Sequence, residues 1–144
     1  ELFERALEVN PESFPAQVNL GGSVFARIGR NLGSVTIEEN LQLERALRAN
    51  TKALELRPDS SLANSQTGIT LFFLRRYQEA IPYFEKVKEL DPFSMNTPEL
   101  FLSDIYLRNG DSDRAVKELE SFLEKLPDHP RAPRVRRRLR GLQP

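Results

Sequence analysis

Ala53-Leu-Glu-Leu-Arg-Pro58, Val87-Lys-Glu-Leu-Asp-Pro92 and Phe122-Leu-Glu-Lys-Leu-Pro127 are three versions of one phrase, and Ala6-Leu-Glu-Val-Asn-Pro11 is a fourth. The prolines that close the four phrases stand 47, 34 and 35 residues apart along the chain. Twelve residues before three of them is an alanine (Ala46, Ala80, Ala115), and eight before each is Phe3, Asn50, Phe84 or Leu119. Self-similarity near 34 residues, with no strand signal, predicts stacked helical hairpins, each stopped by a proline that cannot continue a helix. One such hairpin is too small to bury its own apolar face. Stability must then come from neighbouring hairpins, and function falls on a surface rather than in a catalytic pocket.

The clearest unit is 61–94. Gly68 falls in the middle of its first helix, Tyr77-Gln-Glu-Ala80 opens the second, Phe84 and Val87 follow on the same face, and Leu90-Asp-Pro92 ends it. Small residues let two helices approach, and large apolar ones fill the space beside them. This set of spaced positions resembles the tetratricopeptide repeat, and the resemblance covers nearly the whole chain. It implies an all-α, right-handed superhelical solenoid of antiparallel helix hairpins. The division it implies is a second helix of a truncated preceding repeat over 1–10, a repeat over 14–60 with a 13-residue insertion, repeats over 61–94 and 95–129, and a basic capping helix and tail over 130–144.

Local signals place the helices. Residues 14–28 form a first helix, entered through Pro11-Glu-Ser13, with Pro15 in its first turn and Gly29 at its end. Thr36-Ile-Glu-Glu39 reads as a capping box, which makes 29–35 a loop and 37–56 an over-long second helix, either a ledge on the array or a tolerated surface insertion. Residues 62–75 and 77–90 form the next hairpin. Thr97 caps a helix that begins Pro98-Glu99, Asn109-Gly110-Asp111 turns the chain into 112–126, and 132–141 forms a last helix whose Val135 and Leu139 cover the final hairpin. Helix 1–10, with Phe3 and Leu7 on one side and no first-helix partner, is expected to self-associate or fray.

The 144 residues, 39% of them apolar, suffice for one elongated domain. Twenty-one basic residues balance 21 acidic ones, but residues 131–140 hold six arginines and no acid. The absence of cysteine excludes disulfides and thiolate metal sites and leaves the compartment open. No run of about 18 apolar residues and no charged-then-apolar leader is present, so no transmembrane or targeting segment is read.

In the family that the chain resembles, the inner, concave face is lined mainly by the first helix of each hairpin. The resemblance then implies a peptide-binding groove lined by Asn19 and Ser23, by Ser65, Ile69 and Phe72, and by Leu100, Asp104 and Leu107. Stretches 14–26, 61–74 and 95–107 contain no lysine or arginine, which argues against a clamp for a ligand's terminal carboxylate and for apolar anchors. Arg27, Arg75, Arg76 and Arg108 stand at the ends of first helices, where cations are favoured in any case. Arg134, Arg136, Arg137, Arg138 and Arg140 form a second candidate site, for an anionic partner, or else the solvated face of the terminal helix. No aromatics interleave with these arginines, which argues against a platform for single-stranded nucleic acid.

Catalysis finds no support: the single histidine, His129, sits in a turn, Glu85, Glu89, Glu118 and Glu120 read as exterior carboxylates, and no glycine-rich phosphate loop occurs. No metal site and no cofactor are expected. The function read from the chain is a protein-interaction scaffold that holds a peptide or partner domain in its concave groove. The alternatives are a regulatory or targeting segment of a larger enzyme or envelope protein, and anion or nucleic-acid binding through the C-terminal arginines.

Overall fold

The computed structural model describes residues 36–144; the helices expected over 1–10 and 14–28, the loop at 29–35, Arg27, and the lining residues Asn19 and Ser23 lie outside the described residues. Among the described residues six α-helices follow in order: α1 (Ile37–Leu56), α2 (Ser61–Phe73), α3 (Tyr77–Leu90), α4 (Pro98–Arg108), α5 (Ser112–Lys125) and α6 (Ala132–Leu142). Each packs on the next, most extensively α2 on α3 and α4 on α5, and α2 also touches α4. The described chain is therefore all-helical and built of sequential pairs.

The helix starts follow from local chemistry. At α1 the capping box is complete: Glu39 N–H donates to Thr36 Oγ1 at 3.2 Å, and Thr36 N–H donates to the Glu39 carboxylate at 2.7 Å. Ser60 Oγ accepts from Ala63 N–H at 3.1 Å at the start of α2, and the Asp111 carboxylate accepts from Arg114 N–H at 3.1 Å at the start of α5. Gly110 between α4 and α5 has φ +77°, a conformation glycine takes without a Cβ penalty. Thr97 departs from expectation. It occupies the N-cap position of α4, but its side chain makes no capping hydrogen bond and its backbone is left-handed, with φ 50°. Capping geometry needs an extended residue, and Pro98 at the first helical position already removes one of the donors to be capped.

The repeated positions turn inward. Ala46, Asn50 and Ala53 of α1, Ala80, Phe84 and Val87 of α3, and Ala115, Leu119 and Phe122 of α5 are all 0% exposed. They stand twelve, eight and five residues before the phrase-ending prolines, so the sequence repeat marks the face each of these helices presents to its neighbours. Phe84 anchors the central cluster with Leu71, Leu102 and Ile105, its ring stacked on Phe101 at 5.0 Å between centroids. At the C-terminal end Ala132 and Val135 of α6 close over Leu119 and Phe122, with Leu139 and Leu142 beside them. α6 thus shields the apolar face of the last pair from water.

Candidate functional site

Four helices, α2, α4, α5 and α6, line a cleft of about 400 Å³, a size in the lower part of the range for ligand pockets. Phe73 from α2, Leu100 and Phe101 from α4, Leu119 from α5 and Val135 from α6 supply its apolar floor. Its rim is charged. Arg131, Arg134 and Arg138 enter from α6 and its N-cap, and Asp104 enters from α4. The arginines are three and four residues apart and so share one helix face. Arg138 Nη2 lies 2.6 Å from Asp104 Oδ1, and both side chains remain more than a third exposed.

The cleft joins two groups that the sequence reading kept apart. Leu100 and Asp104, read as groove residues, face Arg134 and Arg138, read as a separate patch. The remaining arginines of that patch do not line the cleft: Arg136 donates to the Pro127 carbonyl at 2.9 Å, and Arg137 and Arg140 are exposed. Residues 61–74 and 95–107 are free of basic side chains, so the cations of the cleft come from α6. Ser65 is buried, at 2% exposure. Ile69, Phe72 and Leu107 are half-buried against the central core. Phe72 meets Phe73, Tyr77 and Phe101 edge-on, at 5.9, 5.3 and 5.1 Å between ring centroids.

The arginines at helix ends are held one by one rather than as a common rim. Arg76 makes two hydrogen bonds to Glu79, at 2.8 and 2.6 Å. Arg108 lies over the Tyr77 ring, 5.0 Å from its centroid. Arg75 takes a left-handed backbone, with φ 60°, and is exposed. His129 sits edge-on to Phe122 at 5.3 Å, and its Nδ1 accepts from Arg131 N–H at 3.1 Å.

Glu118 corrects the reading of it as an exterior carboxylate. It faces α3, where Lys88 Nζ donates to both its oxygens at 2.9 and 3.0 Å, and its side chain is only 11% exposed. Burial pushes the Glu118 carboxyl above its ordinary value despite those hydrogen bonds. Burial pulls Lys88 the other way, but the carboxylates of Glu118 and Glu85 together outweigh it and leave the lysine raised. A second pair, Lys125 to the buried Glu99 at 3.0 Å, ties α5 to α4. These pairs set the relative position of the helices behind the cleft. Their partners are 30 and 26 residues apart, a separation at which sequence spacing carries no signal.

Phe101, Leu119 and Val135 are cleft residues that reasoning from the sequence did not assign to the groove, and Arg131 was counted only among the arginines of 131–140. One signal was available for the arginine: Arg131, Arg134 and Arg138 keep helical spacing beside the apolar series Ala132, Val135, Leu139 and Leu142. Amphipathic spacing of that kind places the arginines at the border of a buried face.

Residues 39–94 match the family model described as Tetratricopeptide repeat. Among solved structures, the fold resembles that of TTC0263, a thermophilic protein of this kind from Thermus thermophilus, with a TM-score of 0.73 and 18% identity over 97% of this chain and 69% of that one. Two crystal structures of MamA are similar at TM-scores of 0.75 and 0.74, each at 20% identity over 97% of this chain, covering 75% and 70% of theirs. At these identities the likeness is one of fold. No curated protein matches the chain in sequence.

Proposed function

We propose that this chain, a tetratricopeptide-repeat protein by its residues 39–94 and by its fold, is a non-catalytic interaction scaffold that binds a peptide or a partner domain in the groove lined by α2, α4, α5 and α6. Repeats of this family generally mediate contacts between proteins. We divide the array into repeats over 14–60, 61–94 and 95–129, with 130–144 as a cap whose inner side belongs to the groove.

The observation that carries the reading is the cleft itself: an apolar floor of Phe73, Leu100, Phe101, Leu119 and Val135 beneath a polar rim, on helices fixed by the buried cores behind them. A preorganised surface loses little conformational entropy on binding, so a few apolar contacts and rim hydrogen bonds suffice for a specific complex. No helix among the described residues is long and apolar enough to cross a membrane, so the groove is not read as part of a transmembrane bundle.

The test is a selection of displayed random 12-residue peptides on the intact, immobilised protein. Recovered peptides are expected to lose binding to Leu100→Asp and Ile69→Asp, with each variant first shown to remain helical and to melt cooperatively. Peptides that bind both variants as well as the parent would place recognition outside the groove. Loss on neutralising Arg136, Arg137 and Arg140 would then assign it to the outer face of α6.

A further inference from the structure

Resting on the groove reading above, we infer that the C-terminal end of this groove selects acidic-apolar protein segments, in which an aspartate or glutamate stands next to a large apolar anchor. Three arginines border the cleft, and Asp104 is the one acidic side chain that lines it among the described residues. Asp104 engages Arg138, whereas Arg131 and Arg134 have no acidic side-chain partner among the described residues. The rim therefore carries an excess of positive charge directly above an apolar floor. A ligand that buried only apolar surface here would leave those guanidinium groups partly desolvated and unpaired, and a basic ligand would be repelled. A carboxylate flanking the anchor relieves both costs, through charge-assisted and bidentate hydrogen bonds for which the arginine fork is suited.

Asp104 acts as an internal stand-in for that carboxylate. Its pair with Arg138 is at 2.6 Å, but the two side chains are 37% and 45% exposed, and ion pairs open to water hold weakly. An incoming carboxylate can therefore replace Asp104 on Arg138 at little cost. The excess of positive charge also distinguishes this end of the groove from the rest of it, since residues 61–74 and 95–107 contain no lysine or arginine. A nucleic-acid ligand is disfavoured by geometry, since Arg136, Arg137 and Arg140 do not line the cleft that the other three arginines border, and Arg136 is tied to the Pro127 carbonyl.

The experiment uses the same displayed 12-residue peptides and the intact protein. Sequences recovered on the parent should be enriched in aspartate and glutamate within a few positions of leucine, phenylalanine or methionine. The triple variant R131Q/R134Q/R138Q should bind them about tenfold or more weakly, the scale of hydrogen bonds to charged groups, and a fresh selection on it should lose the acidic bias. Asp104→Asn should bind the same peptides about threefold more tightly, because it removes the competing carboxylate; a gain is a result that a merely damaged fold does not give. The control R136Q/R137Q/R140Q should stay within about twofold of the parent.

Groove-dependent peptides without acidic enrichment, or unchanged affinity in the R131Q/R134Q/R138Q variant, would overturn this inference and leave the groove reading intact. Peptides insensitive to Leu100→Asp would overturn both. So would an empty selection from a protein that instead binds a thymidine 20-mer through Arg136, Arg137 and Arg140.

Discussion

Phe84 occupies the space that a side chain on residue 68 would need: a Cβ added at Gly68 would lie 2.9 Å from Phe84 Cε1 and 3.1 Å from Cδ1 and Cζ. This contact is where α2 and α3 approach, and the ring has nowhere to retreat, being fully buried and stacked on Phe101. Alanine within a helix is favoured over glycine by about 1 kcal/mol, whereas overpacking a tight core costs about 1–3 kcal/mol. Gly68→Ala is therefore expected to lower stability by about 1 kcal/mol net. Adding Phe84→Leu to Gly68→Ala should cost less than Phe84→Leu costs in the parent, and a double-mutant cycle in urea reads the coupling. Strict additivity would mean that the contact is not tight.

Ala80 and Glu85 lie five residues apart on α3 and are opposites. Ala80 is 0% exposed at the recurring small position, while Glu85 is exposed and reaches Lys88 only at 3.3 Å. Ala80→Leu should cost about 1–3 kcal/mol through overpacking. Glu85→Ala should stay within about 0.5 kcal/mol, the usual range for an exposed pair. Equal urea midpoints for the two variants would show that the face of α3 has been assigned wrongly.

Asn50 stands where α3 has Phe84 and α5 has Leu119, and it is just as buried. Its Nδ2 donates to Thr70 Oγ1 at a long 3.3 Å, and its Oδ1 has no partner among the described residues. Thr70 keeps its own hydrogen bond to the Gln66 carbonyl, at 2.6 Å, whether or not Asn50 is present. Replacing an under-satisfied buried amide with a similar apolar volume removes a desolvation cost, so Asn50→Leu should raise stability by about 1 kcal/mol. A lowered thermal midpoint would mean that the amide is needed for pairing α1 with α2.

Stability should depend on pH through Glu118 with a sign opposite to that of a surface carboxylate. Its folded value is raised above the ordinary 4.5, so its contribution is complete below the ordinary value and is lost as pH rises through the folded one. Relative to Glu118→Gln, the parent should therefore gain stability as pH falls from about 7 to 4. Glu79, lowered by its hydrogen bond to Arg76, contributes above the ordinary value and loses that contribution in acid. Lys88 is raised above 10.5, and its share should persist up to that value and vanish as pH climbs past its folded one. Denaturant midpoints of the parent, Glu118→Gln and Glu79→Gln across this range decide the matter. A pH-independent difference between the parent and Glu118→Gln would contradict the burial of that carboxyl.

Much of the architecture was legible from the sequence because it depends on spacing within single helices. A residue's rotation about its own helix axis follows from its number, so an alanine, an apolar residue and a proline recurring at fixed offsets identify one face. Ala80, Phe84 and Val87 could be placed against a neighbour before any neighbour was known. Capping is equally local, and Thr36 with Glu39 bounded α1 at Ile37. Thr97 escaped because its left-handed backbone answers to the loop before α4 and not to its own side-chain chemistry.

Residue order alone settled the helical pairs, the buried face of each repeated phrase, and the amphipathic terminal helix with its arginines beside an apolar series. Only packing in three dimensions established that this helix, seated on α5, carries Arg138 to Asp104 of α4, so that Arg134 and Arg138 line the same cleft as Leu100 and Asp104. The burial of Glu118 beside Lys88 is of the same kind. One cause underlies both. Which side chains meet across two helices depends on their mutual offset and crossing angle, which are outcomes of packing the whole core and leave no periodic trace along the chain.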